Sequence, residues 1–295
     1  MATVSEASAA GAAVSRRRTT HPVLRRLRSR PLVIVAMAML VLFIILALAA
    51  PIIAPHDPNA LISGAVMRRP SWTYPFGTDE LGRDVFSRVI HGARISLQIG
   101  IITISIALVL GTLVGLTAGF YGGLVDSALM AVMEILLAFP QILLAMAILA
   151  MLGPSLRNAM IAVGLSAVPV YARTARGTTL SVRAMDYVES ARAVGSGDVR
   201  ILLRHVLPNM ISPVVVLGTA GVGIAILIAA GLSYLGLGAQ PPTPEWGAML
   251  SESRAYLRNA WWMATFPGLA ITVVVVSLNL CGDWLRDLLD PRLRK

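Results

Sequence analysis

Six charge-poor apolar stretches divide the chain, at residues 32–54, 95–120, 124–152, 155–171, 210–237 and 261–281. A helix rises about 1.5 Å per residue, so roughly 20 residues cross the hydrocarbon layer of a bilayer, and each stretch is near or above that length. The runs are uniformly apolar and far too long for the tilted, alternating strands of a barrel. The pattern therefore predicts an all-α integral membrane protein with six transmembrane helices. Pro140 is expected to kink the third span, because it lacks the N–H that an unbroken helix needs.

Between spans four and five the periodicity changes. Tyr187, Val188, Ala191 and Val194 recur at helical spacing, Gly195 stops that helix, and Ser196 is placed to cap a second one. Ile201, Leu202 and Val206 give the second helix an apolar side before Pro208, which is expected to break it. Two short polar-faced helices joined at a glycine suit docking into a groove on another protein. On the other side, Thr78 is placed to cap a helix beginning Asp79-Glu80, with an Asp84–Arg88 pair four residues apart. A second short helix is expected after Pro244, through Trp246, Met249, Leu250 and Leu257.

Composition sharpens this picture. Hydrophobic side chains make up 56% of the 295 residues and charged ones only 14%, about half the usual soluble share. All but one of the 25 basic residues are arginine, and the single lysine is Lys295. That excludes a Walker A phosphate loop and a Schiff-base lysine within the chain. The net charge of +10 does not indicate nucleic acid, because aromatics are 6% and the arginines flank apolar runs instead of forming one basic face. With the N-terminus inside, most arginines fall on the cytoplasmic side, in residues 1–31, between spans four and five, and at the C-terminal end; this places both termini in the cytoplasm. The basic start, apolar run and Ala47-Leu48-Ala49 also fit a cleaved secretory signal, although the run is longer than the usual core of one. The Ala/Ser/Thr-rich residues 1–20 have too little periodicity to pack, and their arginines suit anionic lipid headgroups. One cysteine, Cys281, rules out an intrachain disulfide, and the four scattered histidines have no metal or triad spacing.

Glu189-Ser190-Ala191, Gly195 and then His205-Val206-Leu207-Pro208-Asn209 resemble the EAA loop of the membrane subunits of bacterial ABC importers, with Ser190 in place of the first alanine. Residues 74–84 (YPFGTDELGRD), Leu235-Gly236-Leu237-Gly238 with Gln240-Pro241-Pro242-Thr243-Pro244 and Trp246-Gly247, and Asn279, Gly282-Asp283, Arg286-Asp287 and Asp290-Pro291-Arg292 narrow the resemblance. They are similar to the C-type permease subunit of dipeptide, oligopeptide and nickel systems, from about residue 22 to the end.

The resemblance implies a type I ABC importer permease fold in a bacterial inner membrane. Its expected parts are a cytoplasmic tail (1–31), a first span (32–54), an extracytoplasmic segment (55–94), a five-span core (95–285) and a cytoplasmic tail (286–295). The core includes a coupling loop (172–209) and an extracytoplasmic loop (238–260). It further implies half of a channel for dipeptides or oligopeptides, with a homologous second permease subunit, two cytoplasmic ATPase subunits and an extracytoplasmic substrate-binding protein as partners. The chain itself is then no enzyme and binds no cofactor or metal; ATP and Mg sit on the ATPase subunits. The coupling residues are Glu189, Ser190, Ala191, Gly195, His205, Pro208 and Asn209. Nickel chelates or another small organic ligand are alternative cargoes. A secondary transporter would show repeated halves with intramembrane charges, whereas just one span has a candidate, Glu134, and the coupling motif occurs once; an intramembrane enzyme would need paired catalytic groups, which the spans lack.

The remaining polar positions are weighed last. Glu134, a third of the way into span three, is either a translocation-path or proton-coupling carboxylate or a residue satisfied by a neighbouring helix or subunit. The second reading is preferred, since an ATP-driven importer needs no proton relay. Asn279, Asp283 and Asp287 share one helical face and are expected to pair with Arg173 or Arg176. Thr103, Ser105, Thr219 and Ser233 are the substrate-path candidates, being small and polar within spans.

Overall fold

In the computed structural model, which describes residues 30–289, all regular elements are helical; Thr78 and Asp84 form an isolated bridge between them. Helix α1, Pro31–Leu48, begins with its proline in the first turn, where no intrahelical N–H is required. It is followed by a single turn, α2, Ala50–Ile53. A long loop then leads to α3, Val85–Tyr121, whose N-cap is Asp84; its carboxylate accepts from Ser87 N (3.1 Å) and Ser87 Oγ (2.6 Å). The helix expected to start after Thr78 is therefore absent. Asp79 spends its carboxylate on the N–H groups of Leu81 (3.0 Å) and Arg83 (2.8 Å), closing a turn that delays the helix to Val85.

Span three is not one rod. Helix α4, Gly123–Leu137, and helix α5, Gln141–Leu152, meet at 95°. Pro140 sits between them in an extended conformation, removing a donor and disfavouring a helical residue before it. The expected kink is thus a right-angle turn. Helix α6, Leu156–Arg183, is capped by Ser155, whose hydroxyl accepts from Asn158 N at 3.1 Å.

Helix α7, Asp186–Ala193, and the turn α8, Asp198–Ile201, follow. From Leu202 to Val206 the backbone widens into a π turn and continues without interruption into α9, Leu207–Tyr234. Pro208 therefore does not break the helix as expected. It lies in the first turn after the wide π segment, where the helical ladder is already reset, and Asn209 Nδ2 donates to the carbonyl of His205 at 2.7 Å. Helix α10, Trp246–Ser253, ends in a short 3-10 turn, Arg254–Tyr256, and α11, Trp262–Leu289, closes the described chain.

Among the described residues four helical runs are long and apolar enough to cross a membrane, or five if the bent α4–α5 pair counts as one. Helix α6 is the sixth candidate; its later half carries Arg173, Arg176 and Arg183 among small residues. Helices α3 and α6 lie backbone to backbone along Gly111, Gly115 and Gly119. A Cβ on Gly115 would stand 2.2 Å from the carbonyl oxygen of Ala172. Without a hydrophobic driving force between helices in lipid, such close approach lets dispersion and polar contacts hold the pair. Two larger apolar centres result, beside two smaller ones around Leu149 and Met133. One, around Trp246 and Trp262, joins α1, α3, α9, α10 and α11; the other, around Tyr171, Val206 and Met210, joins α3, α6, α7, α8 and α9.

Candidate functional site

Three regions carry the residues singled out in the sequence. The first is the α7–α8 elbow. Gly195 has φ +82°, and its N–H donates to the carbonyl of Arg192 while Ser196 N donates to that of Ala191. This paired C-terminal closure needs a left-handed residue between its two bonds, which glycine adopts without Cβ strain. Ser196 thus ends the first helix and does not cap the second, whose N-cap is Gly197. Val188, Ala191, Ile201 and Val206 are buried among Leu116, Phe120 and Val182, and the Arg192 guanidinium lies 6.0 Å from the Phe120 ring centroid. The opposite face leaves Tyr187, Glu189, Ser190, Val194, Val199 and Leu203 exposed. Of the expected coupling set, Glu189, Ser190, Gly195, Pro208 and Asn209 are accessible, and His205 is half-buried beneath Tyr187, with ring centroids 6.3 Å apart. Ala191 points inward, so it seats the elbow on the helices below.

The second region is the opposite end of the bundle, where buried charges gather that periodicity did not reveal. Arg83, 2% exposed, donates from Nε to Asp79 Oδ2 at 2.5 Å and from Nη2 to Glu80 Oε1 (3.0 Å) and Glu252 Oε2 (2.9 Å). Arg88, 1% exposed, donates to the same Glu252 oxygen at 3.0 Å. The expected Asp84–Arg88 pair does not form, because Asp84 is consumed as the α3 cap and by His56 Nδ1 at 3.4 Å. Glu80 is pushed above the ordinary carboxyl range, mainly by burial. Beside this cluster Glu245 caps α10, accepting from Gly247 N and Ala248 N, both at 2.9 Å. Its burial raises its carboxyl against those bonds, which favour the charged form. Trp246 Nε1 donates to Val89 O (2.9 Å) and Trp262 Nε1 to Thr78 O (3.0 Å), so the loop before α3, the α10 segment and the start of α11 form one plug. The only sequence signal for the cluster was the density of charge in residues 79–88; its partner Glu252 lies too far along the chain for any pattern to link them.

The third region is the interior. The structure does not bring Thr103, Ser105, Thr219 and Ser233 together. Thr103 is buried against α6, its hydroxyl 3.5 Å from Met160 O; Ser105 is exposed and bonds Ile101 O of its own helix. Thr219 lines an apolar crevice of about 300 Å³ between α1, α9 and α11, and Ser233 is buried, accepting from Ala239 N at 3.1 Å. The expected pairing of Arg173 or Arg176 with residues 279, 283 and 287 is also replaced. Arg176 makes a two-point ion pair with Asp126 (2.5 and 2.6 Å), and Asp287 pairs with Arg30 at 2.7 Å. Asp126 is four residues into α4, directly across from α6, whereas α11 packs on α1; geometry gave each charge the nearer partner.

Comparison with known proteins matches residues 111–295 to the family described as binding-protein-dependent transport system inner membrane component. Residues 20–70 match the N-terminal TM domain of oligopeptide transport permease C. The chain is 44% identical to the dipeptide transport system permease protein DppC of Alkalihalophilus pseudofirmus over 92% of this chain and 89% of that one. It is 45% identical to the di/tripeptide transport system permease protein DppC of Pseudomonas aeruginosa, over 86% of each chain. It is 46% identical to the glutathione transport system permease protein GsiD of Escherichia coli, over 93% and 91%. Among solved structures, an inward-facing form of the MetNI methionine ABC transporter superposes with a TM-score of 0.56 at 20% identity, covering 70% of this chain and 98% of that one. The last likeness concerns the fold alone.

Proposed function

The chain belongs to the family of binding-protein-dependent transport system inner membrane components, and on that premise we propose that it forms half of a channel importing dipeptides or oligopeptides, together with a homologous second permease subunit. As a permease subunit it is a non-catalytic membrane component of an ABC importer. The energy comes from two cytoplasmic ATPase subunits that hold ATP and Mg, and cargo is delivered by an extracytoplasmic binding protein. Both termini lie in the cytoplasm, as the arginine distribution favours. Peptide cargo is supported by three relatives named for dipeptide, di/tripeptide and glutathione transport.

The observation that carries the coupling role is the elbow itself. Its inner face (Val188, Ala191, Ile201, Val206) is buried on α3, α6 and α9, while its outer face offers Tyr187, Val194, Val199 and Leu203 around Glu189. A rigid two-helix element seated on three spans and greasy on its free side transmits displacement of a docked partner directly into those spans. Closure of the ATPase dimer on ATP shifts the population of the channel toward its outward-open form, and hydrolysis returns it. The segment 172–209 is thus the coupling loop, and the plug around Glu245 is the outer surface that receives the binding protein.

Purification from the native membrane tests this reading: an ATPase subunit should accompany the chain, and Glu189→Lys should abolish copurification or uptake while insertion stays normal. Uptake by the chain alone without ATP, or unimpaired uptake in Glu189→Lys, would overturn it.

A further inference from the structure

Glu134 and Arg173 line the same cavity, of about 110 Å³, with Met130, Met133, Leu137 and Arg176. Glu134 lies three residues before the C-terminal end of α4 and Arg173 ten residues before the end of α6. Both are exposed in the single chain. An ionised side chain facing lipid is costly, so this face borders water or protein.

The charges around them are unequally committed. Arg176 is engaged by Asp126 at two points. Among the described residues neither Glu134 nor Arg173 forms an ion pair or a side-chain hydrogen bond, although they share one cavity. A cation and an anion that line one cavity without an ion pair between them, Glu134 also lying within electrostatic reach of Arg176, match a ligand that carries one charge of each sign a short distance apart. The free carboxylate and ammonium of a short peptide are such a pair, and they are common to peptides of every side-chain composition. Met130 and Met133 add flexible, polarizable surface, which tolerates varied neighbours.

We propose that Glu134 and Arg173 form a binding station for the charged ends of a short peptide, Arg173 taking the carboxylate and Glu134 the ammonium of a molecule laid across the mouth of the cavity. The station rests on the peptide-import reading above. It gives the channel a specificity element of its own, selecting zwitterionic backbone ends irrespective of side chain. At its size the cavity receives end groups and not a whole peptide.

The test uses the full complex in proteoliposomes with binding protein at saturation, measuring imported radiolabelled alanyl-alanine per ATP hydrolysed. Arg173→Gln and Glu134→Gln should each lower that ratio about tenfold, the effect of losing one charge-assisted hydrogen bond, and Arg173→Lys should restore most of it. An unchanged ratio in both Gln variants overturns the station, as does their failure to copurify with the ATPase subunits, which would assign the two charges to assembly. A wild-type complex that imports neither alanyl-alanine nor glutathione sinks the peptide reading and the station with it; unchanged variants of an importing complex sink the station alone.

Discussion

Arg83 and Glu252, 169 residues apart in sequence, meet at 2.9 Å and tie the loop preceding α3 to the C-terminal turn of α10. Glu252 also receives Arg88 through the same oxygen, so it bridges two guanidiniums that are 2% and 1% exposed and whose charge it shares with Asp79 and Glu80. Without Glu252, Arg83 keeps Asp79 and Glu80, but buried Arg88 is left with Asp79 at 3.6 Å as its nearest carboxylate. Glu252→Ala is therefore expected to destabilise the protein by about 3 kcal/mol, the low end for a buried pair because Glu252 itself is 17% exposed. The thermal midpoint of the purified complex in detergent should fall accordingly. A midpoint equal to wild type would mean that the network is hydrated and of little consequence.

The α3–α6 seam predicts a contrast between two glycines. Gly115→Leu places its side chain on the Ala172 carbonyl and Ala175 Cβ, at 2.2 and 2.6 Å from the first added carbon, so the helices must part along the seam. A cost of about 3 kcal/mol or more is expected, at or above the usual range for overpacking. Gly177, on α6 with nothing within 4 Å of an added Cβ, should accept alanine and gain about 0.5–1 kcal/mol from the better helix former. Protease resistance of the two variants in membranes should rank Gly177→Ala above wild type and Gly115→Leu well below it.

At the elbow, Gly195→Ala meets open space but a left-handed backbone, φ +82°. The strain is about 1 kcal/mol, enough to tilt α7 against α8 without unfolding the spans. Uptake should drop while insertion and abundance stay normal, and Gly195→Asn should be milder because asparagine tolerates this conformation better. Equal uptake in wild type and Gly195→Ala would show that the bend angle does not matter for coupling.

Glu245 predicts a pH dependence of known sign. Burial raises its carboxyl in the folded protein, so between the unfolded and the raised value the native state holds a proton that the unfolded chain has released. Its contribution is complete below the unfolded carboxyl value and is lost as pH rises through the folded one. Thermal midpoints measured across that interval should decline with pH in the wild type and decline less in Glu245→Gln. A steeper decline in the variant would reverse the assignment and make the charged cap the stabilising form.

How far the sequence carries the reader differs from element to element. Helices α1, α3 and α11 are legible because an apolar run of that length has no other stable state in a bilayer, and the elbow is legible because Gly195 is demanded by a local backbone bond pattern. Thr78, Pro208 and Ser196 were misassigned for one shared reason. Each is a good cap or breaker in isolation, but the competing partner was nonlocal or a few residues off: Asp79 closing its own turn, the π segment absorbing the proline, Ser196 donating backward to Ala191. The pairing of Asp287 was unreadable, since Arg30 lies 257 residues away.

By itself the sequence determined the membrane class, the long apolar runs, the absence of any lysine-dependent nucleotide site, and the amphipathic elbow with its glycine. These follow from solvation and short-range sterics, which act between neighbours in the chain. Only the tertiary structure decided which guanidinium meets which carboxylate, that α4 and α5 turn at a right angle, that Ala191 faces inward, and that Glu134 and Arg173 share a cavity while remaining unpaired. Ion pairs form between whatever packing brings within a few ångströms, and helix packing in lipid is set by the fit of small residues such as Gly115 against a neighbouring backbone, a relation that no stretch of sequence contains.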